Sequence, residues 1–281
     1  MKPLRAFATL DSDAGPWQVH YREAGAGAPV VLLHPSPLSS AFLAPATAVV
    51  ARRARALAPD TPGYGDSDPL PPALAAGEGL APYVTALLAF VEALELDKPL
   101  FYGSATGAQL AIEFARAHPG RCAGLVLENV ALFEDAEREA LLADYFPDLA
   151  PRPDGSHLAA AWDLAVRSGL RFPWTAAPAG AAAADPAAAQ AAVLVTLRAG
   201  PAYDRAYRAA FANERPERLQ GLEVPTRIIR WPDGPLAAWS DRLDDVALPA
   251  NVTMVHAGPG FPARYEALGG TVDALLAETE S

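Results

Sequence analysis

Basic residues and cysteine are scarce in this sequence. Lysine and arginine together number 22 against 33 acidic residues, which gives a formal net charge of −11. That charge would repel a phosphate backbone, so we predict no nucleic-acid partner. The single cysteine, Cys122, excludes an internal disulfide and a cysteine metal cluster. The five histidines show no metal-ligand spacing, and we predict no metal site.

Long apolar runs and a dinucleotide motif are also lacking. No run is long enough to cross a bilayer, and the start "MKPLRAFATLDSD" lacks the apolar core of a signal peptide. The segment "YGSATG" does not have the G-x-G-x-x-G spacing of a dinucleotide site. We therefore expect a cytoplasmic monomer or homodimer with no membrane partner and no cofactor.

Short apolar runs alternate with helical stretches over most of the 281 residues. This alternation predicts an α/β fold with a mostly parallel sheet covered by helices on both faces. The predicted strands are 4–10, 17–23, 29–34, 54–60, 98–103, 123–130, 224–231 and 251–256. The predicted helices are 39–51, 79–95, 106–118, 235–245 and 263–278.

The alternation breaks over residues 131–220, which we call the insertion. This segment is rich in alanine and contains no strand pattern. We predict that it forms a helical cap on a core made of residues 1–130 and 221–281.

The stretch "FYGSATGAQLAIEFA" (101–115) reads as a strand, a sharp turn and a helix. Gly103 and Gly107 lie two residues before and after Ala105, where small residues relieve the crowding of such a turn. A turn centred on Ser104 would place Tyr102 and Thr106 at the crowded positions. The sequence therefore places Ala105, with its unreactive methyl group, where this kind of turn usually presents a nucleophile.

Three segments in this order resemble the α/β-hydrolase superfamily. The first, "VVLLHPSPLSS" (30–40), is similar to the strand and loop that supply an oxyanion donor. The second, "APDTPGYGDSD" (58–68), is similar to the Asp-x-Pro-Gly-x-Gly-x-Ser loop of that superfamily. The third, "YGSATGAQLAIEFARAHPGRCAGLVLENV" (102–130), is similar to its nucleophile elbow, the following helix and the next strand. The resemblance implies the α/β-hydrolase fold with a cap and a pocket for a small-molecule substrate.

The catalytic positions implied by the resemblance are incomplete here. Asp233 fits the place of the acid, although an ordinary Asp-Gly turn explains it equally well. The histidine slot falls on Gly260, and His256 nearby is either a substitute or a packed side chain. Pro35 stands where the oxyanion loop commonly has glycine, so that N–H donor is absent.

The flanks of Ala105 also resemble a branch of the superfamily that reads Gly-x-His-Thr-Gly-Ala at the elbow. That branch has a Leu-Leu-His-x-x-Pro loop, which His34 and Pro37 match. Under this interpretation Ala105 stands in place of a histidine, and the chemistry is acid–base rather than acyl transfer. Two explanations of Ala105 remain: an engineered replacement, or a natural protein without a nucleophile.

Candidate site residues follow from these positions. Our catalytic candidates are Ala105 as the apex, Asp233, His157 and His256. Our substrate-binding candidates are His34, Ser36, Tyr64, Ser104, Thr106, Asn129, Trp162 and Trp174. Alternative interpretations are a loop-holding role for His34, a packing role for Trp162, and contact with the cap for Tyr64. Glu128 and Arg264 are either inward-facing site residues or solvated ends of their elements.

We therefore predict a cofactor-independent enzyme of this superfamily that acts on a small aromatic or alicyclic substrate. Its reaction would be ester, lactone or carbon–carbon hydrolysis, or a related lyase or cyclisation step. The alternative is a catalytically inactive protein that binds a small molecule on the same fold.

Overall fold

An eight-stranded, mostly parallel sheet forms the centre of the molecule. The computed structural model describes residues 3–168 and 185–279. The strand order is β1-β2-β4-β3-β5-β6-β7-β8, with antiparallel pairing of β1 with β2 and of β2 with β4, and parallel pairing elsewhere. The strands are β1 (Leu4–Leu10), β2 (Trp17–Ala24), β3 (Pro29–Leu33), β4 (Arg55–Pro59), β5 (Leu100–Ser104), β6 (Gly124–Glu128), β7 (Thr226–Arg230) and β8 (Val252–His256). All eight predicted strands are confirmed.

Helices flank the sheet on both faces and fill the region between β6 and β7. They are α1 (Ala44–Val50), α2 (Pro72–Ala75), α3 (Ala81–Ala93), α4 (Thr106–Ala117), α5 (Asp135–Asp144), α6 (Ser156–Ser168), α7 (Pro186–Arg198), α8 (Arg205–Asn213), α9 (Pro216–Gln220), α10 (Ala237–Ser240) and α11 (Gly260–Thr279). The described part of the insertion contains α5 to α9 and no strand, as its composition predicts.

Alternation along the central strands explains the two layers of helices. In β3, Val31 and Leu33 join the core under α3 and α4, whereas Val30 and Leu32 join the core under α1 and α11. Successive side chains of a strand point to opposite faces, so a strand buried on both faces reads as a continuous apolar run.

A separate aromatic cluster fills the space between the insertion and the sheet edge. Its members include Phe133, Tyr145, Phe146, Tyr203, Tyr207 and Phe211, and Ala105 packs against them. The insertion is therefore seated over the carboxyl ends of the strands, which is the edge where open α/β sheets bind ligands. Among residues 3–168 and 185–279, no helix has both the length and the apolar character needed to cross a bilayer.

Candidate functional site

The turn between β5 and α4 has the strained geometry that its sequence predicts. Ala105 has φ 49° and ψ −113°, a backbone conformation that L-residues seldom adopt. Its N–H donates to the carbonyl oxygen of Glu128 (3.1 Å), and its own carbonyl accepts the N–H of Gln109 (3.1 Å). A Cβ at Gly103 would overlap the backbone of Gly107, and a Cβ at Gly107 would overlap that of Leu33. The tight turn centred on residue 105 is thus confirmed.

The methyl group of Ala105 faces a cavity between the core and the insertion. We call this space, of about 110 Å³, the apex cavity. Its walls combine core residues with residues from α8 and from the loop after β7: Pro35, Ser36, Ala105, Thr106, Tyr207, Ala210, Phe211, Glu214, Pro235 and Leu236. A second space of about 200 Å³ also has Ser36 and Tyr207 in its walls and runs between Pro37 and helices α6 and α7. A small, mainly apolar molecule fits these dimensions.

Two polar atoms in the wall of the apex cavity have no hydrogen-bond partner. They are Ser36 Oγ and Glu214 Oε2, and both side chains are buried. Buried polar atoms nearly always have a hydrogen-bond partner, so two such atoms without one in the same cavity indicate a place where a ligand or water binds. The backbone N–H of Ser36 is already used, since it donates to Thr106 Oγ1 (3.3 Å). Pro35 has no N–H either, so neither of these two residues of the loop after β3 offers a free backbone donor.

Glu214 is the carboxyl group of this cavity, and the sequence analysis missed it. Only 3% of the residue is exposed, and burial raises the pKa of its carboxyl group well above the usual range. A signal was present, because Tyr207, Ala210 and Phe211 lie on the buried face of α8, and Glu214, directly after the helix, continues their spacing. Glu214 was not considered as a candidate in the sequence analysis.

The acid and histidine positions of the resemblance meet, but away from the apex cavity. Asp233 Oδ2 accepts the N–H of Gly260 (2.7 Å), so the acid contacts the backbone at the slot where a histidine would stand. Asp233 is exposed, and neither residue is part of the wall around Ala105. Since Gly260 has no side chain, no general base connects Asp233 to the apex.

His256 lies at the exposed end of β8 rather than in a packed position. It lines a different, more polar cleft of about 280 Å³ together with Asn129, Trp231 and Asp241. The structure therefore does not bring His256 into the apex cavity. Its predicted catalytic role is left without a contact to Ala105 in the described part of the chain.

His34 and Tyr64 hold loops rather than line the apex cavity. His34 Nε2 accepts the N–H of Thr61 (2.9 Å), and its Nδ1 faces the carbonyl of Pro35 (3.0 Å). Burial lowers the pKa of His34, which favours the neutral ring. The hydroxyl of Tyr64 donates to the carbonyl oxygen of Tyr203 in the insertion (2.8 Å). The alternative interpretations of these two residues match the observed contacts.

Ser104 and Asn129 pair with each other below the elbow. Asn129 Nδ2 donates to Ser104 Oγ (2.9 Å), and Ser104 is buried. Asn129 has φ 52° and faces the cleft that contains His256. Of the predicted binding residues, Ser36 and Thr106 are the ones that share the apex cavity with Ala105.

The candidates on α6 point away from the apex cavity. His157 Nδ1 accepts the N–H of Arg152 (3.1 Å), which closes the turn before the helix. Trp162 is 42% exposed and does not pack the helix onto the core. Ala161, Leu164 and Ala165 of the same helix line the adjoining 200 Å³ space instead. Trp174 lies outside the described residues.

Glu128 and Arg264 form a buried ion pair beside the elbow. Arg264 Nη2 donates to Glu128 Oε2 (2.6 Å), and the Tyr102 hydroxyl donates to the same oxygen (2.6 Å). The solvated interpretation of these two residues is wrong, because both are almost fully buried. Their charges compensate each other, so the pair stiffens the end of β6 against α11.

One further group of residues has the composition of a metal site. His20, Asp60 and Asp66 have ligand atoms within 4.8 Å of one another. However, Asp66 pairs with Arg5 and Arg198. The Asp60 carboxylate contacts His20 Nδ1 (2.7 Å) and accepts the N–H groups of Ser40 (2.6 Å) and Asp66 (2.8 Å). Two arginines and several N–H donors fit a carboxylate network that holds this loop better than a cation site.

Known proteins resemble this chain in sequence and in fold. A family model described as the alpha/beta hydrolase family matches residues 30–276. A 2-hydroxy-6-oxononadienedioate/2-hydroxy-6-oxononatrienedioate hydrolase from Dechloromonas aromatica is 34% identical over 115 residues, which is 39% of this chain and 39% of that relative. The match thus spans well under half of the relative's length.

Solved structures show the same fold at low sequence identity. Epoxide hydrolase A from Mycobacterium thermoresistibile superposes with a TM-score of 0.68 at 18% identity, with 98% of each chain covered. A malate-bound thermophilic esterase from Thermogutta terrifontis gives 0.64 at 18% identity, with 99% of this chain and 100% of that chain covered. At these identities the likeness establishes the architecture alone.

Proposed function

This chain belongs to the alpha/beta hydrolase family. From that premise, we propose that it is an enzyme whose substrate is a small, mainly apolar organic molecule bound in the apex cavity. The reaction proceeds without a covalent enzyme intermediate. The reaction is ester, lactone or carbon–carbon bond cleavage, or a related lyase or cyclisation step. It needs no cofactor. The observation that carries the proposal is the Ala105 methyl group at the strained apex, facing a cavity whose walls hold unpaired polar atoms.

A covalent route requires a nucleophile and a base, and the residues at both positions, Ala105 and Gly260, lack a reactive side chain. Ala105 has no nucleophilic atom, and Gly260 supplies no base next to Asp233. Chemistry in the apex cavity then depends on polarising the bound group and transferring protons. The name of the partial relative, a hydrolase of an oxo dioate, supports a substrate with a carbonyl group. It does not support the two carboxylates of such a compound here, because the described lining of the apex cavity has no cation to pair with them.

A second candidate is a binding protein that keeps the cavity and has lost catalysis. The glycine at position 260 favours this candidate, because the histidine position has lost its side chain as well as the nucleophile position. Replacement of the nucleophile alone would have left the histidine in place. The retained backbone strain at Ala105 favours the enzyme, since strained residues persist where a site is kept in a working shape.

The test is turnover by the unaltered chain on 4-nitrophenyl butyrate, δ-valerolactone and 1-phenyl-1,3-butanedione, with mass spectrometry of the protein during the reaction. We expect turnover of at least one compound with no covalent adduct. Ala210→Leu should abolish it by filling the cavity, and Ala212→Leu, on the exposed side of the same helix, should not. Ala105→Ser should add no esterase activity, because the base is missing.

Three results would count against the proposal. An adduct on the unaltered chain would contradict the non-covalent route. Turnover that survives Ala210→Leu would place the chemistry elsewhere. Binding in the cavity with no turnover of any of the three classes would favour the binding protein.

A further inference from the structure

Glu214 is a carboxyl group that no part of the family pattern accounts for, placed inside the apex cavity. Its Oε2 is buried and unpaired, and the carboxyl group does not pair with any arginine or lysine in the described part of the chain. The nearest cation, Arg138 of α5, donates from Nη2 to the backbone carbonyls of Phe133 (2.7 Å) and Glu214 (3.2 Å). Its Nη1 pairs with Asp135. Its Nε is buried without a partner, and no nitrogen of Arg138 bonds to the Glu214 carboxyl group in the described part of the chain.

The surroundings of Glu214 favour the protonated form of its carboxyl group. The charged and titratable groups that face it are Arg138 and the hydroxyl of Tyr207. Burial raises the pKa of Glu214, and the attraction of Arg138 only partly opposes that rise. A protonated carboxyl group carries one O–H donor, which an anionic carboxylate lacks.

The other residues that line the apex cavity favour an uncharged ligand. Among the described residues that line the apex cavity there is no lysine, arginine or histidine. A carboxylate substrate would therefore lose its hydration without gaining a cation. An uncharged molecule with one acceptor oxygen would satisfy the unpaired donor and place its apolar part against Phe211 and Leu236.

We propose that Glu214 is the hydrogen-bond donor that recognises the substrate in the apex cavity, and that the substrate is an uncharged compound carrying a carbonyl oxygen. This inference rests on the proposed function, because it deepens the assignment of the same cavity. The hydroxyl of Ser36, which is also unpaired, is the second group available to the same oxygen.

Three probes of similar shape separate the possible handles: acetophenone, α-methylstyrene, in which a CH₂ group replaces the carbonyl oxygen, and benzoate, which is anionic. Binding is followed by the ¹³C-labelled methyl signal of Ala105, which is assigned by its disappearance in Ala105→Gly. We expect acetophenone to bind about fivefold or more tightly than α-methylstyrene at neutral pH, as one added hydrogen bond predicts. Benzoate should bind more weakly than acetophenone.

The variants decide whether Glu214 is responsible. The preference for acetophenone should vanish in Glu214→Leu and persist in Glu214→Gln, whose amide still donates. It should also persist in the control Glu217→Gln, which alters an exposed carboxylate on α9. In the unaltered chain the preference should fade as pH rises and Glu214 ionises, whereas in Glu214→Gln it should not.

The failures are distinguishable. The role of Glu214 is overturned if the probes shift the Ala105 methyl signal but Glu214→Leu keeps the preference for acetophenone. It is also overturned if benzoate binds as tightly as acetophenone. In both cases the apex cavity is still the binding site. Satisfaction of Glu214 by water only would give equal affinities for acetophenone and α-methylstyrene and would overturn the role of Glu214 as well. If no probe shifts the Ala105 signal, the proposed function itself fails.

Discussion

At the scale of single residues, Ala105 keeps a strained backbone although it has no reacting atom. Its φ of 49° and ψ of −113° follow from the demand that β5 turn directly into α4 while packing against β3. Such conformations cost about 1–3 kcal/mol in an L-residue. Glycine avoids most of that cost because it has no Cβ.

We therefore predict that Ala105→Gly raises the free energy of unfolding by about 1 kcal/mol. Relief of strain exceeds the added entropy of the unfolded chain, which is about 0.4–1 kcal/mol for this exchange. Urea denaturation measures the change. The control Ala140→Gly, at an exposed position inside α5, should instead lose about 1 kcal/mol. A loss of stability in Ala105→Gly would show that the turn is relaxed.

The sequence located this apex because the spacing of Gly103 and Gly107 is a local signal. It could not locate the partner of Glu128, because Arg264 is 136 positions away and reaches it only after α11 packs on the sheet. Glu214 was missed for a related reason. Its burial depends on the seating of α8 over the strand ends, although its spacing from Tyr207, Ala210 and Phe211 is visible in the sequence.

At the scale of elements, the insertion is joined to the core through a few directed hydrogen bonds as well as through its aromatic cluster. The Tyr64 hydroxyl donates to Tyr203 O just before α8, and Arg205 donates to Gly77 O (3.1 Å). Both acceptors are backbone carbonyls, so these contacts fix the position of α8. Since α8 carries Tyr207 and Phe211 and leads into Glu214, its position sets the shape of the apex cavity.

Tyr64→Phe should lower the free energy of unfolding by about 1–2 kcal/mol, because it leaves a buried carbonyl oxygen of Tyr203 without its donor. The matched control is Tyr83→Phe, since the hydrogen bonds of the described residues include none from the Tyr83 hydroxyl. That change should cost less than about 0.5 kcal/mol. Equal effects of the two substitutions in urea denaturation would contradict a directed link between Tyr64 and the insertion.

Local periodicity predicted the helices of the core well and their limits less well. The predicted helix 235–245 is the short α10 followed by a 3-10 turn at Asp241–Asp245. In the insertion, alanine-rich sequence indicated helices but not their arrangement, which depends on contacts between α6 and α7 and between α8 and α4. The boundaries of a separate cap at residues 131 and 220 stay a prediction.

At the scale of the whole molecule, the described residues at the carboxyl edge of the sheet border the apex cavity, with its adjoining space of about 200 Å³, and a separate cleft. The apex cavity is mainly apolar and holds Ala105 and Glu214, whereas the cleft beside β7 and β8 is polar and holds His256 and Asn129. The sequence predicted one site from the order of its motifs. In the folded chain Asp233 bonds to the backbone of Gly260, and neither residue lines the apex cavity.

The titration of Glu214 also affects the stability of the whole chain. Burial raises its pKa in the folded state above the unfolded value of about 4.3. At a pH between the two pKa values, the folded chain therefore keeps a proton that the unfolded chain releases. Its contribution to stability is present below the unfolded pKa and is lost as pH rises through the folded pKa. The opposite sign applies to Glu137, whose pKa Arg242 lowers to about 2. It applies also to Asp60, whose pKa is lowered, despite its burial, by hydrogen bonds from Asp66 and Ser40.

Glu214→Gln removes the first effect and leaves the other two. We therefore expect the stability difference, unaltered chain minus Glu214→Gln, to fall by up to about 1.4 kcal/mol per pH unit above pH 5 and to level off once Glu214 ionises in the folded state. Urea midpoints measured at intervals between pH 5 and pH 9 give this difference. The contributions of Glu137 and Asp60 cancel because both proteins contain them. A difference that stays constant with pH, or grows as pH rises, would mean that Glu214 is not protonated in the folded chain, and the apex cavity would then hold an acceptor rather than a donor.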